Sequence, residues 1–469
     1  MSDRRTFYIT TPIYYVNDLP HIGHTYTTVV ADALARFHRL RGDDVYFLTG
    51  TDEHGQKIQR SAAERGVTPL ALADEVVENY RRLWPALSIS NDDLIRTTED
   101  RHKRGVVALF EQIRRSTPDA IYRGAYIGWY CTGCESFYTE GQLLNGGCPD
   151  PGHPGRPVEQ IEESSWFFRL SAYEEPLLKL YTDRPEFVQP ESRRNEVRGF
   201  VRSGLKDLSI SRSRAKVSWG IAFPGDPDQT VYVWFDALTN YLSALGFGEP
   251  GAAPLFDRFW EAREDRTVLH LVGKDILRFH AVYWPAFLMA ARLPLPTTIL
   301  GHGWWLKDEA KMSKSIGNVV RPLPLVADFG ADALRWFLLR EIPLGLDGSF
   351  SDEALLERTN ADLANNVGNL FSRVTALIAK LPDSKVPDAA PIVDEVLEPI
   401  AAASHALYVM SFSKHEPSSA LRAVVDWADA LNKFLVRTEP WRRAGRETEC
   451  DRVLRTAVQP RPDPCAGER

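Results

Sequence analysis

The sequence has few cysteines, no long apolar run and no large excess of one charge, and each shortage excludes something. Five cysteines in 469 residues are too few to build a disulfide framework. No apolar stretch is long enough to span a bilayer. The start, Met1 to Thr6, lacks the apolar core of a secretory signal. A cytoplasmic protein with no membrane partner is therefore expected. A net charge of −7 does not announce a nucleic-acid binder by total charge. What remains is ordinary for a globular protein, with 44% apolar and 25% charged residues. The length calls for roughly two to four domains.

Local concentrations say more than totals. From Arg193 to Lys216 eight Lys or Arg face only Glu196 and Asp207, which reads as a solvated, salt-bridged face. Cys131-x-x-Cys134 is followed after thirteen residues by Cys148. In a cytoplasmic chain such clustering suggests metal rather than disulfides. Three buried free thiols are the alternative.

The N-terminal pattern is strand, helix, strand. Thr6–Thr10 reads as a buried strand that stops before Pro12. Ile22, Tyr26, Val29, Val30, Ala33, Leu34, Phe37 and Leu40 share one helical face, and Gly42 stands where a helix ends. Val45–Leu48 reads as a second strand running into a loop, Thr49–Gly55. The sheet resumes at Val268–Val272, with a helix from about Asp275 and a further strand at Thr297–Leu300. A parallel α/β sheet follows from this alternation. From Asp352 the pattern is helical, with Leu363, Val367, Leu370, Val374 and Leu377 on one face and a loop from Leu381 to Pro391.

Two short motifs carry chemistry. Pro20-His-Ile-Gly-His24 sits at the turn between the first strand and its helix, where free N–H groups and the dipole attract phosphate. His21 and His24 can add donors, and Gly23 leaves room for a nucleotide. A solvated histidine pair is the alternative. Lys311-Met-Ser-Lys-Ser315 follows a strand of the resumed sheet. Lys311 and Lys314 on a loop suit closure over a pyrophosphate leaving group, against the alternative of an exposed basic loop.

In order, in sheet context and at a separation of about 290 residues, these motifs resemble the signature pair of class I aminoacyl-tRNA synthetases. Thr11–Asn17, Thr51–Gly55, Tyr232–Ala237, Gly273–Ile276 with Phe279 and His280, and Asn360–Asp362 resemble the methionyl-tRNA synthetase family in particular. The resemblance covers roughly residues 6 to 458.

That resemblance implies a fold: a Rossmann-like catalytic domain with a zinc-knuckle insertion, then an all-α anticodon-binding domain. The expected divisions are 1–114 and 231–351 for the two catalytic halves, 115–230 for the insertion, 352–458 for the helical domain and 459–469 for a tail. It implies ligation of methionine to tRNA(Met) through methionyl-adenylate, with ATP as co-substrate, Mg2+ at the phosphates and one structural Zn2+. It implies a methionine site of Ile13, Tyr15, Asp52, Trp234, Leu238, Tyr241 and His280. Gly23, Gly273, Asp275 and Lys314 would hold ATP, with Asp275 near the ribose or capping a helix. His21, His24, Lys311 and Lys314 would stabilise charge during the reaction. Asn369, Arg373, Pro440 and Trp441 would read the anticodon, although Trp441 could instead pack a helix end. Zinc would take Cys131, Cys134, Cys148 and His153, with Asp150 the rival fourth ligand. A monomer is expected.

The rivals are synthetases for isoleucine, valine, leucine or cysteine, a non-catalytic tRNA-binding paralogue, and a nucleotidylyltransferase. The insertion is short for an editing domain, both phosphate motifs are intact, and the helical region has no place in a simple nucleotidylyltransferase. At the end, Gln459–Arg469 holds three prolines and does not continue the preceding helix. A poorly packed tail on a shortened bundle with an exposed apolar face is the expectation.

Overall fold

The computed structural model describes residues 4–17, 19–134, 136–138, 140–150, 152, 154–307, 310–312, 318–381, 384–386, 388, 392, 394–442 and 447–458. The chain divides into two compact units, residues 1–305 with 309–323, and residues 306–308 with 324–469.

The first unit is built on a six-stranded sheet. In chain order its elements begin with β1 (Thr6–Tyr15), α1 (Ile22–Leu40), β2 (Asp44–Asp52), α2 (Gln56–Arg65), α3 (Pro69–Ala86), β3 (Asp93–Arg96) and α4 (Asp100–Ser116). Then come β4 (Ile121–Cys131), β5 (Ser136–Tyr138), β6 (Glu159–Phe168), α5 (Glu174–Asp183), β7 (Val188–Gln189) and α6 (Glu191–Arg202). They are followed by β8 (Leu208–Ser209), β9 (Ser211–Ser213), β10 (Ala222–Phe223), β11 (Asp226–Val231), α7 (Val233–Leu238), α8 (Asn240–Ser243) and α9 (Pro254–Phe259). β12 (Arg266–Gly273), α10 (Trp284–Ala291) and β13 (Thr298–His302) complete the sheet and its cover. The strand order is β3-β2-β1-β12-β13-β7, with every pairing parallel. The order turns back between β1 and β12, and ligands of such sheets bind at that point, beyond the strand C-termini.

β1 runs five residues past the expected strand. Pro12 has no N–H to give to a ladder, but the β1–β2 register shifts between Thr10 and Ile13, and this irregularity absorbs it. Pairing then resumes at Ile13 with Gly50 and Tyr15 with Asp52, so Thr49–Asp52 is strand and not loop. The expected helix from Asp275 is also corrected. A 3₁₀ turn spans Lys274–Ile276, a π-helical turn spans Phe279–Tyr283, and α10 follows. The turn begins from Gly273, so Asp275 is not its cap.

Residues 115–230 do not stand wholly apart. β4, β5, β6 and β8 form a separate antiparallel sheet carrying the cysteines. β7, however, pairs with β13 and closes one edge of the central sheet. A two-residue strand leaves too little period-2 pattern to be read from sequence. Within the basic stretch, Arg193–Glu196 and Arg194–Glu191 pair along α6, but both arginines are mostly covered and Arg212 is buried over the Tyr232 ring, so the stretch is not a simple solvated face.

The second unit is helical. α11 (Pro322–Phe329) leads into α12 (Ala331–Arg340), α13 (Asp352–Arg358), a π-helical stretch Thr359–Gly368, and α14 (Asn369–Ile378). α15 (Leu397–Ser413), α16 (Pro417–Thr438) and α17 (Glu447–Val458) follow. Val374, Leu397, Leu431, Phe434, Leu435 and Val453 pack as its core. Asp362, from the Asn360–Asp362 motif, accepts from the Trp336 indole at 3.1 Å and pairs with Arg340 and Arg358. Asp362 is thus a buried polar fastening. The tail 459–469 lies outside the described residues. No helix among the described residues is long and apolar enough to cross a membrane.

Candidate active site

A cavity of about 230 Å³ opens at the C-terminal ends of β1, β2, β12 and β13. It gathers Ile13 and Tyr15 from β1, His21, Gly23 and His24 from the start of α1, and Asp52 from the end of β2. α7 and α8 add Trp234, Leu238 and Tyr241, and β12 with the turn after it adds Gly273, Asp275 and His280. Side chains up to 267 residues apart thus meet because parallel strands end on one edge.

The histidines do more than line the wall. His21 is the N-cap of α1, and its Nδ1 accepts from the Gly23 N–H at 3.0 Å. His24 Nδ1 accepts from the His21 N–H at 3.2 Å, which completes a reciprocal capping box. The rings stack at 3.8 Å. With Nδ1 accepting, each neutral ring carries its proton on Nε2, where it can donate. Burial, then His21 and Arg321, holds His24 well below the ordinary histidine value. This is not a solvated pair. Gly23 has its own reason: a Cβ there would lie 2.8 Å from the His21 ring.

At the apolar end the polar groups satisfy one another. The Tyr241 hydroxyl donates to His280 Nε2 at 2.7 Å, and His280 Nδ1–H donates to the Ile276 carbonyl at 3.0 Å. His280 is 2% exposed, and burial pushes it down to about 4 despite the Ile276 bond and nearby Asp275. Trp234 stacks flat on Phe279, centroids 3.7 Å apart and planes at 4°. The resulting surface is aromatic and uncharged. Asp52, 3% exposed, supplies a carboxylate at the cavity wall.

Two buried ties hold this wall. Asp236 on α7 accepts from His54 and from His102, both at 2.7 Å, joining α7 to the end of β2 and to α4. Burial opposes its charge, but the two histidines outweigh it and hold its carboxyl at about 2. Glu53 meanwhile takes Arg96, Thr51 and Thr98.

The sequence reading missed His302, Gly303, Trp304, Trp305, Asn240 and Met312, all of which line the cavity. Glycine and aromatics just past a parallel strand were the available signal for the first four. His302 Nε2 bonds Thr27 Oγ1 at 2.8 Å. Met312 belongs to the lysine-pair motif. The Lys311 side chain and residues 313–317, Lys314 among them, lie outside the described residues.

The cysteines form a second centre. The Sγ atoms of Cys131, Cys134 and Cys148 lie within 4.8 Å of one another, with Cys134 and Cys148 at 3.6 Å. Tetrahedral zinc with bonds of about 2.3 Å separates its sulfurs by about 3.8 Å, so the set fits that ion. The neighbouring Cys131 thiol, then burial, push the Cys134 thiol up, a crowding that a dication relieves. Among the described residues Asp150 is not part of the cluster, and its Oδ1 accepts from the Gly152 N–H at 2.8 Å. His153 lies outside the described residues.

In the helical unit Asn369 begins α14 and Arg373 follows one turn on. The Arg373 guanidinium lies over the Trp441 ring at 5.7 Å. Trp441 is 41% exposed, on a 3₁₀ turn with buried Pro440.

A helix N-terminus at the switch point of a parallel sheet suits phosphate binding, and the comparisons give the class. The family "tRNA synthetases class I (M)" matches residues 7–164 and 154–375. A methionine–tRNA ligase of Caldanaerobacter subterraneus subsp. tengcongensis is 49% identical over 452 residues, 96% of this chain and 69% of that protein. One from Rickettsia conorii is 45% identical, covering 96% and 86%. Mycobacterium tuberculosis methionyl-tRNA synthetase in complex with methionyl-adenylate superposes with a TM-score of 0.89 at 42% identity, over 97% of this chain and 89% of that one. Its apo form gives 0.82. Within class I, this chain belongs to the methionine–tRNA ligase family.

Proposed function

We propose that this chain activates L-methionine with ATP to methionyl-adenylate and pyrophosphate, then passes methionine to the 3′ end of tRNA(Met). One observation carries the reading: a single cavity joins an uncharged aromatic pocket, a carboxylate and a histidine-capped helix N-terminus. Methionine is flexible, apolar and polarizable, and suits the faces of Tyr15, Trp234 and Tyr241 with Ile13, Leu238 and His280 around them. Asp52 pairs with its ammonium. Gly273 lets the adenosine approach the β12 backbone, where a Cβ would meet Asp275 Oδ1 at 2.6 Å. Asp275 takes the ribose.

The methionine carboxylate attacks the α-phosphate, and pyrophosphate leaves. Little covalent chemistry falls to the protein, so positioning and charge stabilisation dominate. His21 and His24 donate through Nε2, and Lys311 and Lys314 neutralise the leaving group. Mg2+ bound with ATP would supply further positive charge there. Cys131, Cys134 and Cys148, with His153 as fourth ligand, would hold a structural zinc.

The helical unit reads the anticodon. RNA loops are recognised by splayed bases stacked on aromatics and guanidinium planes. Trp441 with Arg373 over it offers such a platform, flanked by Asn369 and Pro440. The enzyme works in the cytoplasm.

Amino-acid-dependent ATP–pyrophosphate exchange across the twenty standard amino acids tests the central reading. Methionine should far exceed leucine and isoleucine, by roughly 1–3 kcal/mol for each misplaced methylene. A preference for leucine or valine would sink it.

A further inference from the structure

The cysteine sheet and the aromatic pocket are distant in sequence but meet through one side chain. Tyr138 on β5 is buried, and its hydroxyl lies 3.0 Å from Cys134 Sγ. Tyr138 also lies beside the Arg278 guanidinium, close enough for the two to act on each other electrostatically. Arg278 in turn lies over the Phe279 ring at 4.9 Å. Phe279 is stacked flat on Trp234, which walls the cavity. We propose that Arg278 is a positioning residue that sets the aromatic wall of the amino-acid pocket, anchored to the cysteine centre through Tyr138. This rests on the methionine-pocket reading given above.

The chemistry of the guanidinium suits this role. A guanidinium carries its donors on one rigid plane and can serve a hydroxyl and a ring together. An ammonium is a compact point charge on a flexible stem and does not fix the two contacts in one geometry. Without the guanidinium, Phe279 loses the group lying over its ring. Trp234 then loses the flat partner that holds its plane, because stacked rings fix each other's orientation. The phosphate side does not share these supports, since His21 and His24 are held by the α1 capping box. The expected signature is a change in methionine recognition that leaves ATP recognition unmoved.

The test uses the full chain and four proteins beside the wild type: Arg278→Ala, Arg278→Lys, Tyr138→Phe and the double variant Tyr138→Phe/Arg278→Ala. Exchange is measured with methionine and ATP varied separately, methionine binding by calorimetry, and zinc by elemental analysis. Arg278→Ala should raise the methionine KM and Kd about tenfold, with the ATP KM within about twofold. Arg278→Lys should fall close to Arg278→Ala. Tyr138→Phe should raise the methionine constants about threefold with zinc retained, and the double variant should be no worse than Arg278→Ala alone. Chelating the metal should weaken methionine binding in the wild type and add little in Arg278→Ala.

Unchanged methionine constants in Arg278→Lys and Tyr138→Phe would overturn the proposal, as would methionine and ATP constants rising together with a lowered Tm. Multiplicative effects in the double variant would break the anchoring arm. Should Arg278→Ala fail to fold, the other two single variants still decide the matter. A wild type that does not bind methionine would sink the pocket reading instead, so the two failures are distinguishable.

Discussion

At the scale of single residues, neighbours decide what a titratable side chain does. His280 is neutral over the physiological range because burial lowers it to about 4. Its folded value lies below the unfolded value of about 6.5, so the unfolded chain binds more protons between them. Its contribution to stability is therefore present above about pH 6.5 and lost as pH falls towards about 4. Methionine affinity should be flat from pH 8 to about 5.5 and then weaken. An affinity falling with a midpoint near 6.5 would show that His280 is not held neutral. Lys314 belongs to the same scale. Lys314→Ala should slow adenylate formation roughly 10²–10³-fold, the cost of losing a preorganised charge, with methionine affinity nearly unchanged. Single-turnover kinetics beside equilibrium binding separate the two effects, and an equal loss in both would refute the role. The pattern Pro20–His24 marked a phosphate site, but not that both rings cap their own helix. That depends on ring rotamers, which no spacing rule contains.

At the scale of elements, the cysteine sheet is a small unit whose packed residues are few. Cys131, Tyr138 and Cys148 form a cluster of their own, with Cys134, Leu143 and Val158 against it. So small an apolar core does not hold loops in place alone, and metal ligation would supply the missing free energy. The purified protein should contain about one zinc per chain. Cys148→Ser should lose that zinc and increase amide exchange across β4 to β6 more than across β1, β2 or β12. Three freely titrating thiols in a folded, zinc-free protein would exclude the site. Cys-x-x-Cys with a later Cys was legible because ligand spacing is local. β7 was not, because two residues carry no period, and their place beside β13 follows from α5 and α6 on either side.

At the scale of the whole molecule, the chain forms two compact units. All the cavity residues belong to the first. Asn369, Arg373, Pro440 and Trp441 belong to the second. Trp441→Ala should therefore leave amino-acid-dependent exchange within about twofold of wild type. It should lower kcat/KM for charging about 10- to 100-fold, the loss of one or two stacked bases at about 1–3 kcal/mol each. Exchange and charging falling together would argue that Trp441 supports the fold and not the tRNA.

By itself the sequence determined the alternation of strand and helix at the N-terminus, the helical C-terminal region and the identity of the chemical motifs. These depend on periods and spacings within a few turns of chain, which local sterics and burial impose directly. Only the tertiary structure decided the rest. It carried β1 through Pro12 by pairing with β2, turned the segment after Gly273 into 3₁₀ and π turns, and moved β7 into the sheet. It also brought His302, Trp304 and Asn240 to the cavity beside residues already suspected. Each of these outcomes depends on partners far away in the chain. Strand pairing and cavity walls are energies between segments, and one segment's sequence specifies its own half of such an energy and not the partner that completes it.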